Sequence, residues 1–323
     1  MLKKITQHQF LSKLKTRKLE NIDVIKLIEQ SLKEQRGFVF RMPQKGTPVI
    51  LLLSGGLDSV TCWGILMKEF GLHVYPLSFD RGEKRANKEK ASIDYFSKFY
   101  KKQYPALFHQ PLRLSLGVKD MTIPIENALK DIHPEIILDK FDGNGKLIDL
   151  NISFGSFLLL PVYAKLYAEY LYHTQNLYIR NIFCSVTLSD GLIVPHQTFT
   201  SLRSVMYYLC IASGDYSWQF SSVVFEKETG LYYDKFNLVK WADDHKIPLE
   251  KTWSCYHSKK YQCGGSDCQT CIVRADAFYR AGVSDNTIYR SVADQSFLGL
   301  VKFKFRSAIR KTKYLIKSYL MTR

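Results

Sequence analysis

Residues 49–53 read Val-Ile-Leu-Leu-Leu and break abruptly into Ser54-Gly55-Gly56-Leu57-Asp58-Ser59. An unbroken apolar run that ends in small polar residues predicts a strand buried on both faces, a tight turn, and then a helix. The helix cap falls on Asp58 or Ser59 in this reading. Two adjacent glycines let the backbone turn sharply and approach a ligand with no Cβ in the way. The N–H groups that open the new helix then converge on one spot, where the helix dipole also favours negative charge. With two serine hydroxyls added, the turn suits a pyrophosphate. It lacks the Gly-Lys-Ser/Thr ending of a Walker A loop and the three spaced glycines of a dinucleotide fingerprint.

The stretch Ser-Gly-Gly-x-Asp-Ser resembles the pyrophosphate loop (PP-loop) of the ATP pyrophosphatases. Those enzymes split ATP between its α and β phosphates to adenylate a substrate. The resemblance implies that Ser54, Gly55, Gly56, Leu57, Asp58 and Ser59 hold ATP, with Mg²⁺ bridging phosphate oxygens.

Around the loop, strands and helices alternate. A strand over 48–53 leads to a helix over 57–70, and 72–79 reads as a second strand. A helix over 86–103 and a third strand near 106–114 follow. After a variable region with Asp-Gly-Asn-Gly at 142–145 comes a long helix over 154–173. A strand over 177–184, a helix over 198–213, a strand over 221–226 and a helix over 234–245 complete the series. The alternation predicts an α/β fold: a parallel, Rossmann-like sheet of the PP-loop kind with helices on both faces, and ligands at the carboxyl ends of the strands. The units read as a basic helical extension over 1–46, an ATP-binding α/β domain over 47–250, a metal-binding region over 251–290 and a basic amphipathic helix over 291–323.

The net charge of +16 is concentrated at the two ends. Residues 1–46 carry a net +7, residues 294–323 another +7, and the body between them only +2. The N-terminus starts basic but lacks the apolar stretch of a signal peptide, and no apolar run spans a bilayer, so a cytoplasmic location is expected.

Four of the seven cysteines fall in one short segment, as Cys255-x7-Cys263-x4-Cys268-x2-Cys271. Zn²⁺ takes four tetrahedral thiolates, and a Cys-x2-Cys turn puts two sulfurs on one side of the metal. A four-cysteine site is closed to substrate, so the zinc is expected to be structural. Cys62, Cys184 and Cys210 lie in apolar stretches and read as buried thiols.

The loop, followed about 200 residues later by Thr252-Trp-Ser-Cys-Tyr and the four cysteines, resembles the 7-cyano-7-deazaguanine synthase (QueC) family. Asp234-Lys235, Arg274, Ala277-Phe278, Ala281-Gly282 and Asp285 also fit the family's manner. The resemblance covers about residues 47–290. It implies that ATP adenylates the carboxylate of 7-carboxy-7-deazaguanine, that ammonia displaces AMP to give an amide, and that a second ATP drives dehydration to the nitrile. A carboxylate is a poor electrophile, and making its oxygen part of a leaving AMP supplies the driving force. Positioning and charge neutralisation carry such chemistry. Asp58, Lys84 and Arg85 are the candidate catalytic residues, and Asp80, Arg81 and Lys235 join the loop as ATP ligands. Arg81, Lys84 and Arg85 either neutralise phosphates or form the solvated basic start of a helix.

The substrate side departs from the family. Its Tyr-Gly-Gln-Arg-His becomes Arg81-Gly-Glu-Lys-Arg85, and its Asp-x-Ser-Gly-Tyr-Pro-Asp-Cys-Arg becomes Ser189-Asp190-Gly191-Leu-Ile-Val-Pro195-His196-Gln197-Thr198. A Pro-x-Arg-Asn is replaced near Ser153-Phe154. A purine-like ring needs a face to stack on and groups that read its edge. Phe154, Asp190, His196 and Gln197 are the candidates, although a histidine such as His196 is more often an ordinary surface or loop residue. These departures and the basic ends favour a reading like the QueC-like enzymes of antiviral defence (type IV CBASS) operons, in which the deazaguanine is conjugated to a protein amine. The alternative is nitrile synthesis with ammonia. A PP-loop enzyme acting on tRNA is a third reading, and it requires salt-sensitive nucleic-acid binding. Family members often pair, so a homodimer is possible. The C-terminal alternation of Lys302, Lys304, Arg306 and Arg310 with Phe303, Phe305 and Ile309 suits a partner or simply a core-facing helix with a lysine-rich face.

Overall fold

The computed structural model describes residues 7–81, 85–116, 156–190, 195–256, 261–264 and 268–290. Lys84, Phe154, the 142–145 turn and the C-terminal helix expected over 291–323 lie outside them.

Five strands form one parallel sheet in the order β3-β2-β1-β4-β5. They are β1 (Pro48–Leu52), β2 (His73–Asp80), β3 (Leu112–Ser115), β4 (Asn181–Cys184) and β5 (Gln219–Ser222). Register runs from Pro48 opposite His73 to Leu52 opposite Leu77, while Ile50 faces Ile182 on the other edge of β1. The chain starts at the centre, moves outward through β2 and β3, and then returns to the opposite side of β1. The order reverses between β1 and β4, and that reversal opens a crevice at their carboxyl ends.

The apolar run at 49–53 is buried on both faces, as its composition requires. Val49, Leu51 and Leu53 enter one core cluster, and Ile50 and Leu52 the other. The first cluster joins the sheet to α3 (Leu57–Lys68), α4 (Ala86–Gln103) and α7 (Lys235–Asp244), with Trp63, Tyr100 and Trp241 among its members. The second joins it to α1 (Gln7–Lys15), α2 (Ile22–Arg36), α5 (Ser156–Gln175) and α6 (Phe199–Ser213). Phe10, Leu14, Ile25 and Leu32 are among its buried members, so the N-terminal helices share the body's core. No described helix is long and apolar enough to cross a membrane.

Three elements differ from the sequence reading, among them the strand expected over 177–184, which begins only at Asn181. The third strand is only Leu112–Ser115, because Pro105 and Pro111 remove backbone donors and leave Phe108 a single bridge to Val74. The strand expected over 221–226 is two elements: β5 ends at Ser222, and β6 (Phe225–Glu226) pairs antiparallel with β7 (Leu231–Tyr232). Val223 and Val224 stand at the bend, and no glycine, proline, asparagine or aspartate in 219–226 announces a turn.

Behind this hairpin lies a fully buried ion pair. Arg203 of α6 donates to both oxygens of Glu226 at 2.8 and 2.6 Å and to Glu29 of α2 at 2.9 Å, while Ser221 donates to Glu226 at 2.5 Å. The carboxylates hold Arg203 above its ordinary value and the guanidinium holds Glu226 below its own, against the desolvation that opposes both charges. The pair ties α2, α6 and the hairpin into one body.

Candidate active site

The Ser54–Ser59 turn leaves β1 at the reversal point. Gly55 has φ +76°, and a Cβ there would stand 2.7 Å from the Glu89 carbonyl oxygen, so both backbone conformation and space exclude a side chain. The helix cap is Gly56, with no side-chain cap hydrogen bond, rather than Asp58 or Ser59. Asp58 and Ser59 sit inside the first turn instead. Ser59 is buried with its hydroxyl 3.0 Å from that of exposed Ser54, and it accepts from the Ser54 N–H at 3.2 Å. The start of α3 is thus free of a capping side chain, and the first N–H groups of a helix have no partner within the helix itself.

Asp58 turns toward α7. Its Oδ2 accepts from Lys235 Nζ at 2.5 Å, and the same ammonium lies 2.9 Å from Asp190 Oδ1. Asp190 is held from behind, its Oδ2 accepting from the Thr187 N–H and hydroxyl, each at 2.8 Å. Burial raises the Asp58 carboxyl, which Lys235 opposes; the carboxylates of Asp190 and Asp58 hold Lys235 well above the usual lysine range against desolvation. Lys235 is therefore a charged ammonium. It reaches this point because Asp234 caps α7 in a reciprocal box with Asn237 and also accepts from the Ser189 N–H. Asp190, expected to read the substrate ring, is placed as a counter-ion of Lys235.

Asp80 stands at the carboxyl end of β2, 3.4 Å from Arg113 of β3, with Arg81 following it. Arg85 is buried, pairs with Glu89 at 2.8 Å and lies 4.0 Å over the Tyr256 ring. Its burial sets aside the solvated reading of Arg85, which links α4 to the cysteine segment through Glu89 and Tyr256. His196 and Gln197, both half-buried, lie on a short 3-10 turn, Pro195–Gln197, in the connection that leaves the carboxyl end of β4.

The four cysteines converge. All four Sγ atoms lie within 4.8 Å of one another, with Cys263 to Cys271 at 3.7 Å and Cys255 to Cys268 at 4.0 Å. Four sulfurs about 2.3 Å from a tetrahedral zinc are about 3.8 Å apart, so the donor set fits that ion. Cys268 caps α8 (Gln269–Ala281), and Cys255 accepts from the Cys263 N–H at 3.3 Å. Arg274 secures the knot from within: it is buried and donates to Thr252, Ser254, Thr287 and the Leu249 carbonyl.

The knot also touches the loop. The Trp253 N–H donates to the Gly55 carbonyl at 3.1 Å, and the same oxygen accepts from Ser92 of α4 at 2.7 Å. Sequence reasoning missed Ser92 and Thr187, which are unremarkable hydroxyl residues; Trp253 stood inside the quoted Thr-Trp-Ser-Cys motif without a role.

A parallel sheet with an uncapped glycine turn at its reversal point, a lysine bridging two aspartates beside it, and a four-sulfur knot braced on the turn define a nucleotide-binding α/β enzyme. The profile of the family described as "Queuosine biosynthesis protein QueC" matches residues 48–139 and 163–282. The chain belongs to that family and is an ATP-dependent carbon–nitrogen ligase. Among its relatives, the 7-cyano-7-deazaguanine synthase of Campylobacter jejuni subsp. jejuni serotype O:2 is 25% identical over 242 residues, 75% of this chain and 98% of the relative. 7-Cyano-7-deazaguanine synthase 2 of Desulfitobacterium hafniense is 26% identical, covering 76% and 95%. The Picrophilus torridus 7-cyano-7-deazaguanine synthase is 28% identical, covering 75% and 92%.

Proposed function

We propose that the protein uses ATP to activate the carboxylate of 7-carboxy-7-deazaguanine and passes the activated group to ammonia, ending in the nitrile. The observation that carries this reading is the Ser54–Ser59 turn at the reversal point, in a chain that spans nearly the whole length of relatives named for that product. Their name favours ammonia over the protein amine that the substrate-side departures suggested. ATP supplies the leaving group: the substrate carboxylate oxygen attacks the α-phosphorus and pyrophosphate departs, and then ammonia attacks the carbonyl carbon and AMP departs to leave the amide. A second ATP is attacked by the amide oxygen with loss of pyrophosphate, and departure of that oxygen with AMP, together with the nitrogen's protons, leaves the nitrile.

The residues divide this work by chemistry. Gly55 and Gly56 admit the phosphates to the first turn of α3, with Ser54 and Ser59 as hydroxyl donors. Lys235, charged and held by Asp190, offsets the negative charge that grows on the pyrophosphate. Asp58, whose Oδ1 is buried without a hydrogen-bond partner, suits a Mg²⁺ ion or its water. Asp80 and Arg81, at the carboxyl end of β2, flank the nucleotide. His196 and Gln197 are the candidates for reading the deazaguanine edge.

The test is a single incubation with ATP, Mg²⁺, 7-carboxy-7-deazaguanine and ammonium, read by mass spectrometry for small molecules and for intact protein. Nitrile together with AMP is the expected outcome. AMP release with a mass shift on a protein and no nitrile would instead support conjugation. No AMP with any of these components would sink the reading.

A further inference from the structure

We propose that the N-terminal helix and its following turn form a clamp on the substrate-side connection after β4, with Arg17 and Glu20 as positioning residues. The identity of the substrate rests on the function proposed above; the clamp itself does not. The matched family residues begin at 48, so this device lies outside them.

Helix α1 turns Phe10, Lys13 and Leu14 to one face, the spacing of a helix that packs along a stripe, and Arg17 stands in the turn two residues past its end. Phe10 meets the rings of Phe199, Tyr232 and Phe225 edge-on at 4.9, 5.3 and 6.1 Å, and Leu14 is fully buried beside it. Lys13 Nζ lies 4.7 Å over the Tyr232 ring, and the Arg17 guanidinium lies 5.1 Å over Phe225. The helix is therefore seated on the β6–β7 hairpin and on the start of α6.

From that seat two side chains reach the connection at its two flanks. Arg17 donates to the Leu188 carbonyl. Glu20, just past the helix, accepts from the Phe199 N–H at 2.8 Å, the Thr200 N–H at 2.8 Å and the Thr200 hydroxyl at 2.7 Å. The Asn21 N–H donates to the same hydroxyl at 2.9 Å.

The start of α6 is closed by these bonds. Thr198 accepts from the Ser201 N–H, and the Glu20 carboxylate takes the two N–H groups before it, where the helix dipole favours negative charge. The start of α3 has no side-chain cap at all. One helix start is left open toward phosphates, and the other is sealed by a residue from far away in sequence. Between the two anchors stand the groups that matter for substrate handling. Asp190 lies two residues beyond Leu188 and holds Lys235; His196 and Gln197 lie just before Thr198. Fixing both flanks reduces the conformations that these residues must give up when substrate arrives. The clamp should therefore act on the substrate acid and not on the phosphate turn.

Hydrogen-exchange mass spectrometry on the full chain tests the clamp without any ligand. In Arg17→Ala and Glu20→Ala, peptides covering 185–190 and 195–200 should exchange about tenfold faster, the change set by losing a hydrogen bond to a charged group, while peptides over 54–59 stay unchanged. Steady-state assays should then show KM for 7-carboxy-7-deazaguanine raised about tenfold with KM for ATP within about twofold, and Arg17→Lys should recover part of the loss. Should Glu20→Ala fail to fold, Glu20→Gln, which keeps one acceptor oxygen, carries the same measurements with a smaller change. Unaltered exchange at 185–190 and 195–200, or equal changes in both KM values, would overturn the clamp. A wild-type protein that leaves the acid untouched would sink the proposed function, and the exchange result would still decide the clamp.

Discussion

Replacing Lys235 by Met removes the cation between Asp58, 2.5 Å away, and Asp190, 2.9 Å away. Asp190 keeps the Thr187 N–H and hydroxyl as hydrogen-bond donors. Asp58 keeps no such support: burial already raises it above its ordinary 3.8, and the Lys235 ammonium is the main group opposing that rise. In the variant Asp58 stays in place by taking a proton. In the unfolded chain it ionises near 3.8, so holding the proton costs about 1.36 kcal/mol per pH unit above that value. The ceiling is roughly 4.4 kcal/mol at pH 7 and roughly 1.6 kcal/mol at pH 5. The Asp58 side chain keeps 26% of its exposure, and the water that reaches it lowers these ceilings. The expected loss is thus about 2–3 kcal/mol at pH 7 and about 1 kcal/mol or less at pH 5. The sign follows from a raised acid: its contribution is intact below the unfolded value and is lost as pH rises. Urea unfolding of wild type and Lys235→Met at both pH values measures it. Equal losses at pH 5 and pH 7 would refute the reasoning, because the lysine would then act through its apolar stem and not as a counter-ion.

Three further substitutions probe other parts of the site and frame. Gly55→Ala forces φ +76° on a residue with a Cβ and sets that atom 2.7 Å from the Glu89 carbonyl, so AMP release should fall below detection and the melting temperature should drop. Cys271→Ser should lower bound zinc from about one per chain to near zero by elemental analysis; chelation of the wild type should speed exchange over 252–256 and also at 54–59, because Trp253 holds the Gly55 carbonyl. Glu228 is pushed up to about 8, first by burial and then by Glu226, so its share of stability is complete below about 4.5 and is lost as pH rises toward 8. Glu228→Gln should flatten the stability profile between those limits, and an unchanged profile would show that Glu228 does not carry it.

The nucleotide half of this molecule was legible because its physics is local. The apolar run at 49–53, the glycine pair and the helix after them lie next to each other in the chain, and a parallel α/β order follows from their alternation. The cysteine spacing was legible for the same reason, since metal geometry limits how far apart ligands stand. What was hidden depends on distant partners. Nothing local in Asp190 says that it faces Lys235 and not a ligand, and nothing in Arg85 announces Glu89 and Tyr256. The hairpin after β5 was hidden differently: Val223 and Val224, strand-forming residues, stand at the bend, with no glycine, proline, asparagine or aspartate in 219–226 to announce it. The basic N-terminal extension favoured a protein acceptor in the sequence, whereas Phe10, Leu14 and, just past the helix, Arg17 are committed to the body.

The two supports of the site bear on different substrates. The sulfur knot reaches the Gly55 carbonyl through the Trp253 N–H, and α4 reaches the same oxygen through Ser92, so both brace the turn that receives phosphate. The N-terminal clamp reaches Leu188 and the start of α6 and bears on the connection that carries Asp190, His196 and Gln197. Lys235 joins the halves, because one of its carboxylate partners belongs to the turn and the other to the clamped connection. A lesion in the knot should therefore be felt first in ATP handling and a lesion in the clamp first in the acid. A change at Asp190 should disturb both, since it loosens the ammonium on which the two halves meet. Asp190→Asn, which keeps the bonds to Thr187 but not the charge, separates that coupling from simple unfolding: both KM values should rise together while hydrogen exchange over 185–190 stays near wild type.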